Sequence, residues 1–399
     1  MRIKSIETLH ADGGWRVLSF VKVSTDEGVT GWSEYYENYW SRGLTDVIRK
    51  LAASSLGEDP REVGRLSTKL STMTRITEGG LNAQAIAAIE NACLDIKAKA
   101  LGIPVYALFG GPYRRTLPLY WSHCGSFRAR APKLFEQVIG TPPLRTLDDI
   151  RALGKHVVER GYRALKTNPM VFDKGTVTML DAGFSPNPTE FAHNPDRRAR
   201  RAIVELMEAF RDGAGPDTGL LIDLNFSLRT EGLLRVAQDL EHLDLTWLEM
   251  DSYDAKALSL VRASTRTPIG SCEALHGRRA YRPFLEQYAM DVAIVDAPWN
   301  GLLESVKIAA MAEAYQVNVA PHNFCGHLYT MINAHLGAAI PNFRILEIEV
   351  DDVPWKDELV TVAPVVENGS LLLSDAPGWG TEVNEEAVRA HPPQQPGWQ

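Results

Sequence analysis

Residues 219–225 (GLLIDLN), 245–251 (LTWLEMD) and 267–274 (TPIGSCEA) are three short apolar runs, each closing on a carboxylate: Asp223, Glu249 and Glu273. The acids lie 26 and 24 residues apart, about one strand plus one helix each. In a parallel barrel that spacing carries all three side chains to the C-terminal rim, where active sites are built. Three anionic oxygen donors on one rim suit a hard divalent cation such as Mg²⁺. A single acid at a strand end is commonly structural. Three in register, each behind an apolar run, point to a metal site.

Outward from these runs the alternation continues. Further strand-like stretches are 117–125 (LPLYWSHCG), 162–168 (YRALKTN), 291–298 (DVAIVDAP), 317–323 (VNVAPHN) and 343–350 (FRILEIEV), with helical stretches at 147–161, 197–213, 230–243 and 301–316. Eight strands with helical crossovers predict a parallel α/β barrel over residues 116–350. Such a barrel takes about 250 residues, so a chain of 399 has room for a second unit. Residues 1–115 supply one: alternating runs hinge at Asp26-Glu27-Gly28, and a helical region follows over 43–110. Its clearest helix begins near Asn82, with Ile86, Ile89, Cys93, Ile96 and Ala100 on one face, and stops at Gly102 and Pro104. The Pro- and Gly-rich residues 351–399 are expected to fold back onto the first unit. The connection 169–197 is rich in proline and has no clear period, and a loop that long on the catalytic rim is expected to cover a site.

Composition narrows the function classes. A net charge of −8 without a basic stripe argues against nucleic acid. The opening MRIKSIETLH alternates like a strand, and no apolar run reaches the roughly 18 residues of a membrane span. Cys93, Cys124, Cys272 and Cys325 lie far apart with no CxxC pair, so free thiols in a cytoplasmic protein are expected. His322 and His327 lack the further Cys/His ligands of a zinc site. Neither a GxSxG elbow nor a Gly-rich phosphate loop is present.

Other candidate rim residues follow from the same strand ends. His322 closes 317–323, and Asp296 closes the preceding strand. A carboxylate on an imidazole fixes its tautomer and raises its basicity, which prepares a general acid/base. Lys166 and Asn168, two residues apart, face one side of their strand and would both point into the pocket. Asn225 stands in the same relation to Asp223, as a ligand or as a donor to one. Of Glu347 and Glu349, again at i and i+2, at least one should face inward, where a protonated acid would stabilise a developing negative oxygen.

Taken together, these residues resemble the enolase superfamily, in its mandelate racemase/muconate lactonizing enzyme branch. Residues 1–9 and 21–34 (VKVSTDEGVTGWSE) are similar to the start of that family's capping domain. AIAAIENACLDIKAKALGIPVYALFGG (85–111) resembles the domain's closing helix, and KIAAMAEAYQVNVAPH (307–322) resembles the sixth helix and seventh strand of the barrel. The resemblance implies a modified (β/α)₇β TIM barrel under an α+β cap built from both chain ends. It also implies a homo-oligomer acting on a small carboxylate. The implied chemistry is abstraction of the proton α to a carboxylate, giving an enediolate held on Mg²⁺. Asp223, Glu249 and Glu273 become the metal ligands, His322 with Asp296 the dyad, Lys166 the first lysine of strand two and Glu347 the strand-eight electrophile. The family sets specificity in cap and rim loops, which nominates Arg16, Arg75 and Trp299 as substrate contacts.

The chain departs from the family where Lys-x-Lys is expected. Lys166-Thr167-Asn168 lacks the second lysine, and racemisation needs bases on both faces of the α-carbon. Lys-x-Asn resembles the galactonate dehydratase pattern, although Asp223-Leu224-Asn225 replaces that group's Asp-x-His. Strand four reads Glu249-Met250-Asp251 where many relatives have Glu-Glu-Pro. The expected reaction is dehydration of an aldonate or aldarate to a 2-keto-3-deoxy acid by a lyase. Cycloisomerisation or epimerisation of a related carboxylate is the alternative, and a non-catalytic metal-binding barrel that holds a metabolite is a third.

Overall fold

A computed structural model describes residues 1–38, 41–182 and 194–394, so parts of the 169–197 connection and of the C-terminal segment lie outside the described residues. The chain opens with an antiparallel sheet of β1 (Ile3–Asp12), β2 (Val17–Thr25) and β3 (Thr30–Tyr35). The β2–β3 turn falls on the expected residues, with Gly28 at φ 81°. Helices Leu44–Ser55 and Gly80–Leu101 pack on this sheet, and Val63–Met73 packs on those two helices. The last is buried on nearly every side, except that Ala100, expected on the inward face, is exposed beside the Gly102 cap. Gly31 explains how closely sheet and helix approach: a Cβ there would stand 2.1 Å from the Ala92 carbonyl oxygen.

Parallel strands β4 (Thr116–Trp121), β5 (Ala164–Thr167), β8 (Gly219–Asp223), β9 (Trp247–Glu249), β10 (Ile269–Ser271), β11 (Val292–Val295) and β12 (Asn318–Pro321) are neighbours in that order. An eighth, β13 (Leu346–Ile348), pairs with β4, and a Val319–Phe343 bridge joins the approach to β13 with β12. The barrel is therefore closed, with helical crossovers between strands and none after β13: a (β/α)₇β arrangement. Between β5 and β8 a short hairpin, β6 (Met170–Asp173) and β7 (Thr176–Met179), occupies a stretch whose sequence showed no period. Tyr120, Leu221, Trp247, Ile294 and Ala320 fill the barrel interior. Gly270 makes room for Trp247, since a Cβ there would meet its ring at 2.6 Å.

Beyond β13 the chain does two things. The hairpin β14 (Val365–Glu367) and β15 (Ser370–Leu372) runs antiparallel to the start of β4, at the end of the barrel away from the rim. Trp379 then donates its indole N–H to the Trp32 carbonyl, and Glu385, opening the helix Glu385–Ala390, pairs with Lys22. The cap thus takes residues from both chain ends. All four cysteines are buried, free thiols. Among the described residues, no helix is long and apolar enough to cross a membrane.

Candidate active site

Asp223 and Glu249 end adjacent strands and are direct register partners, while Glu273 follows β10 by two residues. Each offers a carboxylate oxygen, and these oxygens lie within 4.8 Å of one another. Asn225 shapes the first ligand, donating its backbone N–H (2.8 Å) and its amide (2.7 Å) to the two oxygens of Asp223. Glu249 accepts from the Trp247 indole at 2.8 Å and from Lys166 at 2.6 Å. Burial, aided by mutual repulsion, pushes Asp223 up to about 6 and Glu249 up to about 7 despite Lys166, and raises Glu273 as well. A largely buried, all-oxygen donor set crowded this closely fits a hard divalent cation, which would relieve the repulsion. Asp251 adds a fourth acid, buried at the site's edge, where it accepts the Cys272 N–H at 3.1 Å.

Across from these ligands, His322 donates or accepts through Nδ1 at 2.7 Å from Asp296, and its Nε2 lies 3.5 Å from Glu273. Asp296 is itself pinned, by the Tyr329 hydroxyl and by the Trp299 N–H at 2.9 Å. Burial disfavours the imidazolium, but Glu273, Asp296 and Glu347 outweigh it and lift His322 to about 10. The Trp299 ring packs 5.0 Å from His322.

Lys166 is buried between two acids, 2.6 Å from Glu249 and 2.9 Å from Glu347. That contact bears on the condition under which Glu347 would stabilise a negative oxygen, namely that it be protonated. Burial favours the neutral acid, yet Lys166 and His322 hold this carboxyl down at about 2. Its oxygens also accept from the Ser122 hydroxyl and from the Asn323 N–H. Glu347 is an anionic clamp for Lys166.

The remaining expected contacts divide. Asn168 donates to the Asp223 carbonyl at 3.2 Å, and its side-chain oxygen is buried without a partner. Arg16 is fully buried, and its guanidinium is spent on Asp352 (2.6 and 3.1 Å) and on the Cys325 carbonyl. The expected substrate contact is corrected to a tie between the cap and the segment after β13. Arg75 is exposed, in an outer crevice shared with Glu78, Arg278 and Lys307. His276, which also lines that crevice, stacks on Trp299, and Trp299 in turn packs on His322; among the described residues no contact of Arg75 with the three acids or His322 is seen.

Sequence reading missed a second imidazole. His123, two residues past β4, bonds through Nδ1 to Ser122 Oγ (3.1 Å) and to Glu349 (3.0 Å). Phe127, Phe324 and the cap residue Trp15 complete an aromatic wall around it: Trp15 stacks on Phe127 at 3.7 Å, and Phe324 touches both His123 and His322. Glu349 was noted as an alternative inward acid; a histidine one residue beyond its strand's serine carried no pattern to mark it.

This barrel, cap and acid-lined rim belong to a known family. The chain is a member of the enolase superfamily: residues 149–387 match its enolase C-terminal domain-like family, and residues 8–110 match the mandelate racemase/muconate lactonizing enzyme N-terminal domain. Among relatives, D-xylonate dehydratase of Haloferax volcanii is 30% identical over 98% of this chain and 88% of its own length. D-galactonate dehydratase of Xanthomonas axonopodis pv. citri is 28% identical, covering 100% and 96%. A solved structure provisionally named an L-alanine-DL-glutamate epimerase, from Burkholderia xenovorans, is 46% identical over 100% of both chains with a TM-score of 0.95. A second structure of that name holds magnesium and fumarate, at the same identity and TM-score over 98% of this chain and 96% of that one.

Proposed function

We propose that the protein is a Mg²⁺-dependent lyase that dehydrates an aldonate or aldarate to a 2-keto-3-deoxy acid. One observation carries the reading: a single His–Asp pair stands beside the three-carboxylate cluster, while the position of a second lysine base is held by Asn168, whose amide takes no proton. Asp223, Glu249 and Glu273 would hold the cation, which when bound supplies positive charge beside the substrate carboxylate as its α-proton leaves. His322, fixed at Nδ1 by Asp296, presents Nε2 to move protons: in its neutral form, which a cation offsetting the charge of Glu273 would favour, the ring takes the proton from C2 and returns it to the hydroxyl leaving C3. The resulting enol becomes the 2-keto acid. Lys166, kept cationic between Glu249 and Glu347, neutralises charge on the substrate carboxylate. Asn168, with its free oxygen, orients a hydroxyl. The dehydratase names of the 30% and 28% identical relatives support the same reading.

A second reading, epimerisation at an α-carbon, is favoured by the 46% identity to the structure provisionally named an epimerase. It needs a base on each face, and Lys166 is clamped as a cation by two carboxylates. The deciding experiment incubates the protein with Mg²⁺ and a panel of aldonic and aldaric acids plus L-Ala-L-Glu in D₂O. Keto acid formed from a panel member is the expected result. Deuterium entering recovered substrate without keto acid transfers the assignment to an epimerase, and a product of unchanged mass but new connectivity to a cycloisomerase. No change to any compound leaves a metabolite-binding barrel.

A further inference from the structure

We propose that His123, presented by Glu349 and Ser122, is a specificity residue whose Nε2 accepts a hydrogen bond from a substrate hydroxyl beyond the two reacting carbons. This assignment rests on the sugar-acid reading above and names the chemistry of the far end of that substrate.

The hydrogen-bond network decides which nitrogen is free. The Ser122 hydroxyl has one proton, and it goes to Glu347. Ser122 Oγ, 3.1 Å from His123 Nδ1, can then only accept, so Nδ1 carries the hydrogen and shares it with Glu349 at 3.0 Å. In the neutral ring, Nε2 is left as a lone-pair acceptor. It makes no hydrogen bond among the described residues. Burial pushes the ring's pKa well below 6.5, which agrees with a neutral acceptor.

Ring contacts place His123 beside the reacting centre. His123 is held at φ 46°, a left-handed backbone that histidine adopts at some cost. The turn lays its ring against Phe127 (4.5 Å) and Phe324 (5.6 Å), and Phe324 is in turn 5.0 Å from His322. The two imidazoles therefore flank one aromatic wall. Glu349 keeps a second, buried oxygen without a partner, and the indole N–H of Trp15, stacked on Phe127, is likewise unpaired. Buried polar atoms left unmatched are costly, and a polyhydroxylated ligand is the chemistry that would pair both acceptors and donors.

The test measures affinity in the presence of Mg²⁺ by calorimetry, with D-xylonate, D-gluconate and D-galactonate as long acids and glycolate as the short one. Wild type should prefer at least one aldonate over glycolate. In His123→Phe, which keeps an aromatic ring between Phe127 and Phe324, that preference should shrink roughly 10- to 100-fold. Glu349→Gln should shrink it less, and His123→Gln, which retains an acceptor oxygen, should recover part of it. If His123→Phe does not fold, the other two variants decide by the same ratio. Equal losses for aldonate and glycolate would assign His123 to packing and overturn the proposal, as would a wild type without preference or variants with the wild-type ratio. Affinity is independent of turnover. Selective binding of aldonates without keto acid would sink the dehydratase reading and leave His123's role standing.

Discussion

His322 and His123 are the same side chain in nearly the same setting, yet they are tuned in opposite directions. His322 is buried and His123 largely so, both lie against Phe324, and each has a carboxylate at Nδ1, at 2.7 Å from Asp296 and 3.0 Å from Glu349. Burial alone would keep both neutral. His322 escapes because Glu273 stands 3.5 Å from its other nitrogen and Glu347 adds further negative potential, so it rises to about 10. Around His123 the balance differs: Lys166, Arg130 and His322 oppose its protonation, and burial pushes Glu349 itself well above the usual carboxylate range. A histidine–carboxylate contact therefore does not by itself define a proton carrier. The charges around the pair decide whether it moves protons or accepts hydrogen bonds.

The sharpest way to break this comparison is His322→Asn. Loss of a positioned general acid/base should lower keto-acid formation by about 10²- to 10⁴-fold, with aldonate affinity largely kept. A tenfold loss or less would remove His322 from the proton path and erase its contrast with His123, whose replacement acts on affinity.

Next in size is the effect of the cation on stability. Three crowded carboxylates destabilise the metal-free protein, so Mg²⁺ at a hundred times its Kd should add about 2.7 kcal/mol to unfolding. A melting series after chelation would detect this. Asp223→Asn should abolish the Mg²⁺ response, and without metal it should melt no lower than wild type, because it removes one of the repelling charges. A retained response would place the cation elsewhere.

How much of this was legible in the sequence follows from which interactions are local. Asp223, Glu249, Glu273, Asp296 and His322 sit at or just beyond the ends of apolar runs, and a parallel barrel sends such residues to one rim whatever the loops do. The fold was readable for the same reason, through strand–helix periodicity. Arg16 was misjudged because its partner, Asp352, is 336 residues away, and no local pattern tells a buried guanidinium from one facing substrate. Arg75 sits on a turn between cap helices, where sequence does not say which side of the cap it faces. Glu347 was expected at the end of the last strand, where β13 carries it, but its protonation state stayed open in the sequence because it depends on Lys166 crossing from β5. His123 was invisible because its role needs a left-handed turn and an acid from the opposite end of the barrel sequence.

The smallest expected effect concerns the acid side of stability. His123 has a folded pKa well below its ordinary 6.5, so below about 6.5 the unfolded chain binds a proton that the folded protein refuses. Its contribution is present above 6.5 and is lost as pH falls. His322 tilts the other way in the metal-free protein: its contribution is full below 6.5 and is lost as pH rises toward about 10. Each such group changes stability by at most about 1.4 kcal/mol per pH unit. Denaturant midpoints of metal-free wild type and His123→Phe at pH 5, 6 and 7 isolate the first term, because His335, pushed down to about 3 by burial, contributes equally to both proteins. The variant should lose less stability than wild type between pH 7 and 5. Equal slopes would mean that His123 takes up a proton at its ordinary pKa and pairs as a cation with Glu349. Its Nε2 would then be a donor, and the contrast with His322 would be one of position alone.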